Sequence, residues 1–291
     1  MGEYKDQLQE GTILNNKYKV ISCLSRSEKK FYYLANDLEQ GKTVTVAELF
    51  LTMQFKRVLG SNRIYVTNND IYIKELECFV EKAQIVKKYG LETVQVYSWY
   101  SIDYFYENGT AYRVMEDIRD NVPLDSFCKN TPKVNVITAL NYISAISDGL
   151  RVIHNKGLVH GDLDPWRVYI RDDGIRIIPK TICPINDLKS GIIPAYIRPG
   201  YCSVERYGRK NMGPWTDIYS MAAILYKMIT GKTLRDPVSR LLENYEERML
   251  IEQWGIVLEL PEQTINAIMK ALSVDWEKRY KTVDDFLNDL V

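Results

Sequence analysis

The chain has 291 residues, 46% of them hydrophobic and 26% charged, which is enough apolar material for a sizeable core and excludes a disordered chain. Its 38 basic and 38 acidic residues balance, so no overall field directs it to nucleic acid or to an anionic membrane. This balance does not exclude local charged patches, but we expect no nucleic-acid partner.

The first part of the chain is predicted to be a small α+β lobe. Apolar stretches separated by turn residues predict a β-meander over residues 18–21, 31–35 and 43–47. Apolar residues at helical spacing predict a helix over residues 70–88. Two more strands are predicted over residues 94–102 and 111–115, joined by a turn at Asn108 and Gly109.

The rest of the chain is predicted to be mostly α-helical. Helical periodicity bounded by glycine or proline covers residues 136–154, 216–230, 262–272 and 283–290. Residues 116–122 are short and polar, as a hinge between lobes would be. We therefore predict an N-lobe over residues 1–115, this hinge, and a C-lobe over residues 123–291.

The cysteines and the apolar stretches indicate a cytoplasmic location. Five cysteines lie without C-x-x-C spacing or a Cys/His cluster, which predicts reduced thiols, no disulfide framework and no metal site. The longest apolar stretch, residues 221–226, ends at Lys227 and is too short to span a bilayer. The sequence predicts no membrane segment.

The segment HGDLDPWR, residues 160–167, resembles the catalytic loop of protein kinases, H-R-D-x-K-P-x-N. In that loop the Asp accepts the substrate proton, the Lys contacts the γ-phosphate and the Asn holds magnesium. Asp162 is retained, whereas Asp164 takes the Lys position and Arg167 takes the Asn position. A cation cannot ligate magnesium, and an anion repels phosphate.

Two later motifs strengthen the resemblance. Residues 199–207, PGYCSVERY, are similar to the end of an activation segment, and residues 213–220, GPWTDIYS, to the following large helix. The resemblance covers residues 12–291 and is to the protein kinase superfamily, most closely to a bacterial Ser/Thr-kinase-like domain. It implies a bilobal α+β fold.

The resemblance also implies scaffold roles in the C-lobe. It implies that Asp217 bonds to the backbone of the catalytic loop and that His160 packs beneath that loop. It further implies that Glu205 pairs with Arg279. Such buried pairs hold a shape whether or not chemistry takes place.

The glycine-rich phosphate loop of kinases falls on residues 25–30, which contain no glycine. Any Cβ at Ser25, Ser27 or Lys30 obstructs close approach of phosphates to the backbone. The with-no-lysine kinases place a substitute lysine at the position of Lys30, which is otherwise typical of a solvated turn.

Three further nucleotide-binding groups are replaced, according to the resemblance. The strand-three lysine position is Ala47, and the position of its glutamate partner is Lys82. The D-F-G motif falls on residues 179–181, so Pro179 stands where the magnesium ligand is expected. We therefore expect no bound metal and no cofactor.

Two tyrosines indicate a closed adenine pocket. Tyr32 takes the usual ceiling position and Tyr169 the usual floor position, and the two rings are expected to stack there. The alternative is that both point elsewhere.

The resemblance also bears on activation by phosphorylation. Gly161 replaces the arginine that binds a phosphorylated activation loop in kinases. Arg198 is expected to pair with Asp162, which would make Asp162 structural.

The leading hypothesis is a pseudokinase, a kinase-shaped binding, scaffold or allosteric module in signalling whose partner is another protein, such as an active kinase. One alternative is an unconventional nucleotide-binding protein or weak transferase that uses Lys30 or Lys82 for phosphate. A third is a purely structural interaction domain that docks through the N-lobe helix or through residues 236–252.

Overall fold

The computed structural model describes residues 4–89, 102–117, 119–131, 133–171, 174–177, 183–185, 197–208, 211–242 and 260–290. These residues form two compact units, the first up to Asp120 and the second from Asn121 onward. The division lies within residues 116–122, while the exact lobe limits at 115 and 123 stay a prediction.

The first unit contains eight described strands and one described helix. They are β1 (Ile13–Leu14), β2 (Tyr18–Arg26), β3 (Lys30–Asp37), β4 (Lys42–Leu49), β5 (Phe55–Arg57), β6 (Ile64–Val66), α1 (Asn69–Lys88), β7 (Asp103–Glu107) and β8 (Thr110–Glu116). Six strands form an antiparallel sheet in the order β1-β2-β3-β4-β8-β7, and β5 and β6 form a separate hairpin. Asn108 and Gly109 both have positive φ, which suits the tight turn from β7 to β8.

One face of the sheet is centred on a buried carboxylate, that of Glu48. Its oxygens accept hydrogen bonds from the hydroxyls of Tyr33 at 2.9 Å and Tyr112 at 2.7 Å. Arg57 of the β5–β6 hairpin pairs with it at 2.8 Å, and the Leu8 amide donates to the Tyr33 hydroxyl at 3.1 Å. The hairpin and the N-terminal segment are therefore both attached to this face.

The second unit is mostly helical. Its helices are α2 (Leu124–Asn130), α3 (Val136–His154), α4 (Val204–Gly208), α5 (Pro214–Thr230), α6 (Pro237–Leu242), α7 (Glu262–Ala271), a 3-10 turn (Trp276–Lys278) and α8 (Val283–Leu290). Its strands are β9 (Val122–Pro123), β10 (Leu158–Val159), β11 (Val168–Arg171), β12 (Gly174–Ile177) and β13 (Cys183–Pro184). Helix α5 is buried along almost its whole length and forms the centre of this unit.

Helix α3 is, among the described residues, long and apolar enough to cross a membrane by length and composition. One face of this helix packs against α5, α8 and β12. Its start is fixed by Asn135, whose side chain accepts from the amides of Ile137 and Thr138. The expectation of no membrane segment rested on residues 221–226, the longest uninterrupted apolar stretch of the chain.

Candidate functional site

The segment 160–167 lies between β10 and β11 and is held by Asp217 at the start of α5. The two carboxylate oxygens of Asp217 accept from the amides of His160 and Gly161, each at 2.8 Å. His154 Nε2 lies 2.8 Å from the same carboxylate. Burial would raise the pKa of Asp217, but the His154 hydrogen bond and the two neighbouring histidines hold that pKa below its usual value. This is the loop-holding role that the resemblance implies.

The backbone of the loop depends on Gly161. Its φ is +68°, and a Cβ there would lie 2.9 Å from the terminal methyl of Met212. Its carbonyl accepts a hydrogen bond from Arg206 Nε at 2.7 Å. The buried ring of His160 accepts from the Asp162 amide at 3.3 Å, so His160 lies beneath the loop. The positive φ and the close approach of Met212 thus explain why glycine, and not the expected arginine, occupies position 161.

Asp162 forms an ion pair with Arg167. Arg167 Nη2 lies 3.1 Å from Asp162 Oδ2, and both side chains are largely buried. The expectation that Arg198 pairs with Asp162 is therefore wrong. Arg167 is five residues from Asp162 within one tight loop, and it folds back onto that carboxylate.

Arg198 pairs instead with Asp164. Its Nε lies 2.8 Å from Asp164 Oδ2, while Asp164 Oδ1 accepts from the Trp166 amide at 2.7 Å. Trp166 also lies beneath the Lys129 ammonium, 4.9 Å from its ring centroid. The anion at the usual lysine position is thus neutralised by the activation segment.

A cavity of about 10 Å³ lies beside this loop, lined by residues that include Asp162, Asp164 and Arg198. That volume admits at most one water molecule. The buried Ser203 hydroxyl has no hydrogen-bond partner among the described residues, and it lines this cavity. The cavity is too small for a substrate or nucleotide.

Glu205 and Arg279 form the buried bidentate pair that the resemblance implies. The two Nη–Oε distances are 2.7 and 3.2 Å. Arg279 also donates to the carbonyls of Ser273 and Val274, and Thr216 donates to Glu205. The pair joins α4, α5 and the segment before α8.

In the first unit, Ala47 lies in a cross-strand row between Tyr32 of β3 and Arg113 of β8. The Arg113 guanidinium lies 5.6 Å and the Lys30 ammonium 5.3 Å from the ring centroid of Phe79 in α1. Burial lowers the pKa of Arg113 to about 10, a shift that the nearby Tyr32 opposes. A cation therefore adjoins the position that lacks the usual lysine. Arg113 was not predicted as a site residue, although it is the lone charged residue of the strand at residues 111–115.

The turn between β2 and β3 is closed by local hydrogen bonds. The amide and hydroxyl of Ser27 both donate to the Lys30 carbonyl, at 2.8 and 3.3 Å. Ser25 pairs with Tyr32 in the strand register. The carbonyls of Glu28 and Lys29 accept from the amides of Thr52 and Phe50, respectively. The turn is thus bonded to the chain that follows β4.

Several predicted site residues lie partly or wholly outside the described part of the chain. Pro179 lies outside the described residues, and so does the side chain of Lys82, whose backbone belongs to α1. Tyr32 is half-buried, and burial raises its pKa. Tyr169 belongs to β11, opposite Pro123, so the stacking of Tyr32 on Tyr169 stays a prediction.

No group of three or more His, Cys, Asp or Glu residues is arranged to hold a metal ion within the described ranges. The expectation of no bound metal and no cofactor nonetheless stays an expectation.

Comparison with known proteins identifies the family. The protein kinase domain model matches residues 72–289. A probable serine/threonine-protein kinase of Clostridium perfringens is 23% identical over 96% of this chain and 38% of its own length. PknB of Lactococcus lactis, a probable serine/threonine-protein kinase, is 23% identical over 97% of this chain and 43% of its own length. The chain thus spans about two fifths of the length of these relatives.

Solved structures show the same fold. The apo form of PpkA-294 has a TM-score of 0.72 and 20% identity, and the match covers 99% of this chain and 100% of that one. The Mycobacterium tuberculosis PknI kinase domain has a TM-score of 0.65 and 16% identity, with 98% of both chains covered. The predicted bilobal α+β fold is confirmed, and the chain belongs to the protein kinase domain family.

Proposed function

We propose that this chain is a catalytically inactive kinase-like module that acts in the cytoplasm by binding another protein, such as an active kinase. The observation that carries the proposal is the pairing within the catalytic loop. Asp162 is paired with Arg167, and Asp164 with Arg198. Both acidic side chains are thus engaged by arginines.

These pairs oppose phosphoryl transfer in two ways. Asp162, the residue that would accept a substrate proton, already receives a charge-assisted hydrogen bond at Oδ2. Arg167 places a positive charge where magnesium is held in kinases, and like charges in a desolvated site repel strongly. Each missing electrostatic group is worth several kcal/mol of transition-state stabilisation, roughly 3–4 by the cost of removing one oxyanion donor.

The first unit also supports this proposal. Ala47 supplies no charge for the α- and β-phosphates, and Ser27 closes the β2–β3 turn where glycines would admit them. Occlusion by Tyr32 and Tyr169 is part of the proposal. We expect no nucleotide cofactor.

A second candidate function is metal-independent nucleotide binding or weak transfer, with Lys30 or Lys82 as a phosphate ligand. It is favoured by the two cations that approach Phe79, because Lys30 of β3 and Arg113 of β8 lie on the two strands that flank β4, the strand of Ala47. Since the curated relatives are named as kinases, this alternative requires a direct test.

The test is a phosphoryl-transfer assay with labelled ATP, magnesium or manganese, and a generic acceptor protein. We expect no transfer above background. The matched control is Asp162→Asn: transfer that disappears in this variant would overturn the proposal, whereas transfer that persists comes from a contaminating kinase.

A thermal-shift titration separates the two candidates, because ligand binding to the folded state raises the melting temperature. Ligand at a hundred times its dissociation constant stabilises by about 2.7 kcal/mol. We expect no shift with ATP or ADP. A shift that persists in chelator and is lost in Lys30→Ala would support the second candidate, and a magnesium-dependent shift would contradict both.

A further inference from the structure

The β5–β6 hairpin and the residues just before it carry the two most exposed large hydrophobic side chains of the described residues. Leu59 at its tip is 102% exposed and Met53 before β5 is 93% exposed. Tyr65 in β6 is 62% exposed, and Val58 beside the tip is also exposed. Val58, Leu59 and Tyr65 therefore lie exposed on one short hairpin, and apolar side chains exposed together in one place point to an interaction surface.

The same segment is basic. Between Glu48 and Asp70 the chain carries Lys56, Arg57 and Arg63 and no acidic residue. Arg57 is neutralised by Glu48, whereas Lys56 and Arg63 are exposed and form no ion pair with the described residues. The hairpin therefore presents apolar side chains flanked by two free cations.

The strands of the hairpin are held by buried side chains, while its tip, residues 58–63, carries exposed ones. Lys56 and Tyr65 are cross-strand partners and share its solvent face, while Phe55 and Ile64 are buried beneath it. The tip is closed by the Val58 amide, which donates to the Arg63 carbonyl at 2.8 Å. Leu59 thus projects from an anchored hairpin.

We propose that this hairpin docks on the surface of an anionic lipid bilayer. Leu59 at the tip enters the boundary between headgroups and acyl chains, and Tyr65 behind it in β6 lies at the headgroup level. Lys56 and Arg63 contact lipid phosphates. Exposed cations beside exposed apolar side chains match the anionic headgroups and the apolar layer beneath them, which favours a bilayer over a protein partner.

The experiment is vesicle flotation of the full chain with phosphatidylglycerol or phosphatidylcholine vesicles. We expect binding to phosphatidylglycerol vesicles that weakens with salt. Leu59→Asp should weaken it roughly tenfold, because an aliphatic anchor becomes an anion. Removing each cation, by Lys56→Ala or Arg63→Ala, should weaken it by about fivefold.

Two controls match these variants. Leu242→Asp changes another highly exposed leucine, and Lys42→Ala with Lys278→Ala removes two exposed cations elsewhere. The controls should bind as the unaltered chain does, and all variants should keep its melting temperature.

No binding, equal binding to both lipids, or binding that survives the hairpin variants would overturn the proposal. A concentration-dependent dimer that Leu59→Asp abolishes would assign the hairpin to a second copy instead. None of these outcomes depends on phosphoryl transfer. The vesicle experiment therefore tests the docking proposal, and the phosphoryl-transfer assay tests the proposed function separately.

Discussion

Arg198 Nε donates to Asp164 Oδ2 at 2.8 Å, and Asp164 is nearly buried while Arg198 is 29% exposed. Arg198→Ala would leave a buried carboxylate without its cation, at a cost of about 2 kcal/mol in the free energy of unfolding. Urea denaturation measures this. In the control Arg119→Ala, the lost pair with Asp117 is half-exposed, so the cost should stay below about 0.5 kcal/mol. Equal losses in the two variants would refute a structural role for the Arg198 pair.

Gly161 and Gly157 offer a matched test of the catalytic-loop backbone. Both have left-handed φ, +68° and +69°, but only a Cβ at Gly161 meets a neighbour, Met212. Gly157→Ala should cost about 1 kcal/mol for the backbone alone. Gly161→Ala should lower the free energy of unfolding by more than Gly157→Ala does, because its Cβ meets Met212. The bulkier Gly161→Arg should lower it further. If urea denaturation gives Gly161→Ala the smaller cost, the contact with Met212 is unimportant.

The lowered pKa of Asp217 predicts that part of the protein's stability is lost in acid. Because its pKa is lower in the folded state, its stabilisation is complete above the unfolded pKa of about 3.9 and is lost as pH falls below that value. We expect unfolding free energy to fall less steeply below about pH 4 in Asp217→Asn than in the unaltered chain. If that variant does not fold, His154→Leu removes the main side-chain hydrogen bond to Asp217 and should change the slope in the same direction. The exposed Asp284→Asn is the control, and an unchanged slope in both core variants would reject this assignment.

Restoring the missing strand-three lysine should not restore activity. Ala47→Lys leaves Asp162 paired with Arg167 and adds a cation beside Arg113. We expect no detectable phosphoryl transfer and a loss of stability of about 1–3 kcal/mol. Ala47→Met adds a side chain of similar length without the charge, so it should cost less. Transfer by the single lysine variant would refute the proposed mechanism of inactivity.

The sequence predicted the elements with strong periodicity well. Helix α3 matches the predicted residues 136–154, and β8 differs from the predicted strand at 111–115 by one residue at each end. The β5–β6 hairpin was missed because three-residue strands are too short for a clear alternation. The strand predicted over residues 94–102 lies, apart from Ile102, outside the described residues.

The pairing of carboxylates with arginines in the catalytic loop could not be predicted from the sequence. Motif positions identified Asp162, Asp164, Arg167 and Arg198 as neighbours of one loop. They did not determine which carboxylate faces which arginine, since that depends on how the loop turns around Gly161. The cation at Arg113 was missed for a related reason, because strand register rather than sequence spacing places it beside Ala47.

The buried face around Glu48 makes the tyrosine hydroxyls of the first unit a built-in reporter. Burial and the neighbouring carboxylates Asp103 and Glu48 raise the pKa values of Tyr18, Tyr33 and Tyr112. We expect these hydroxyls to ionise in alkali only when the sheet opens. The slow phase of tyrosinate absorbance after a jump to high pH would therefore time the opening of this unit, without any label or ligand.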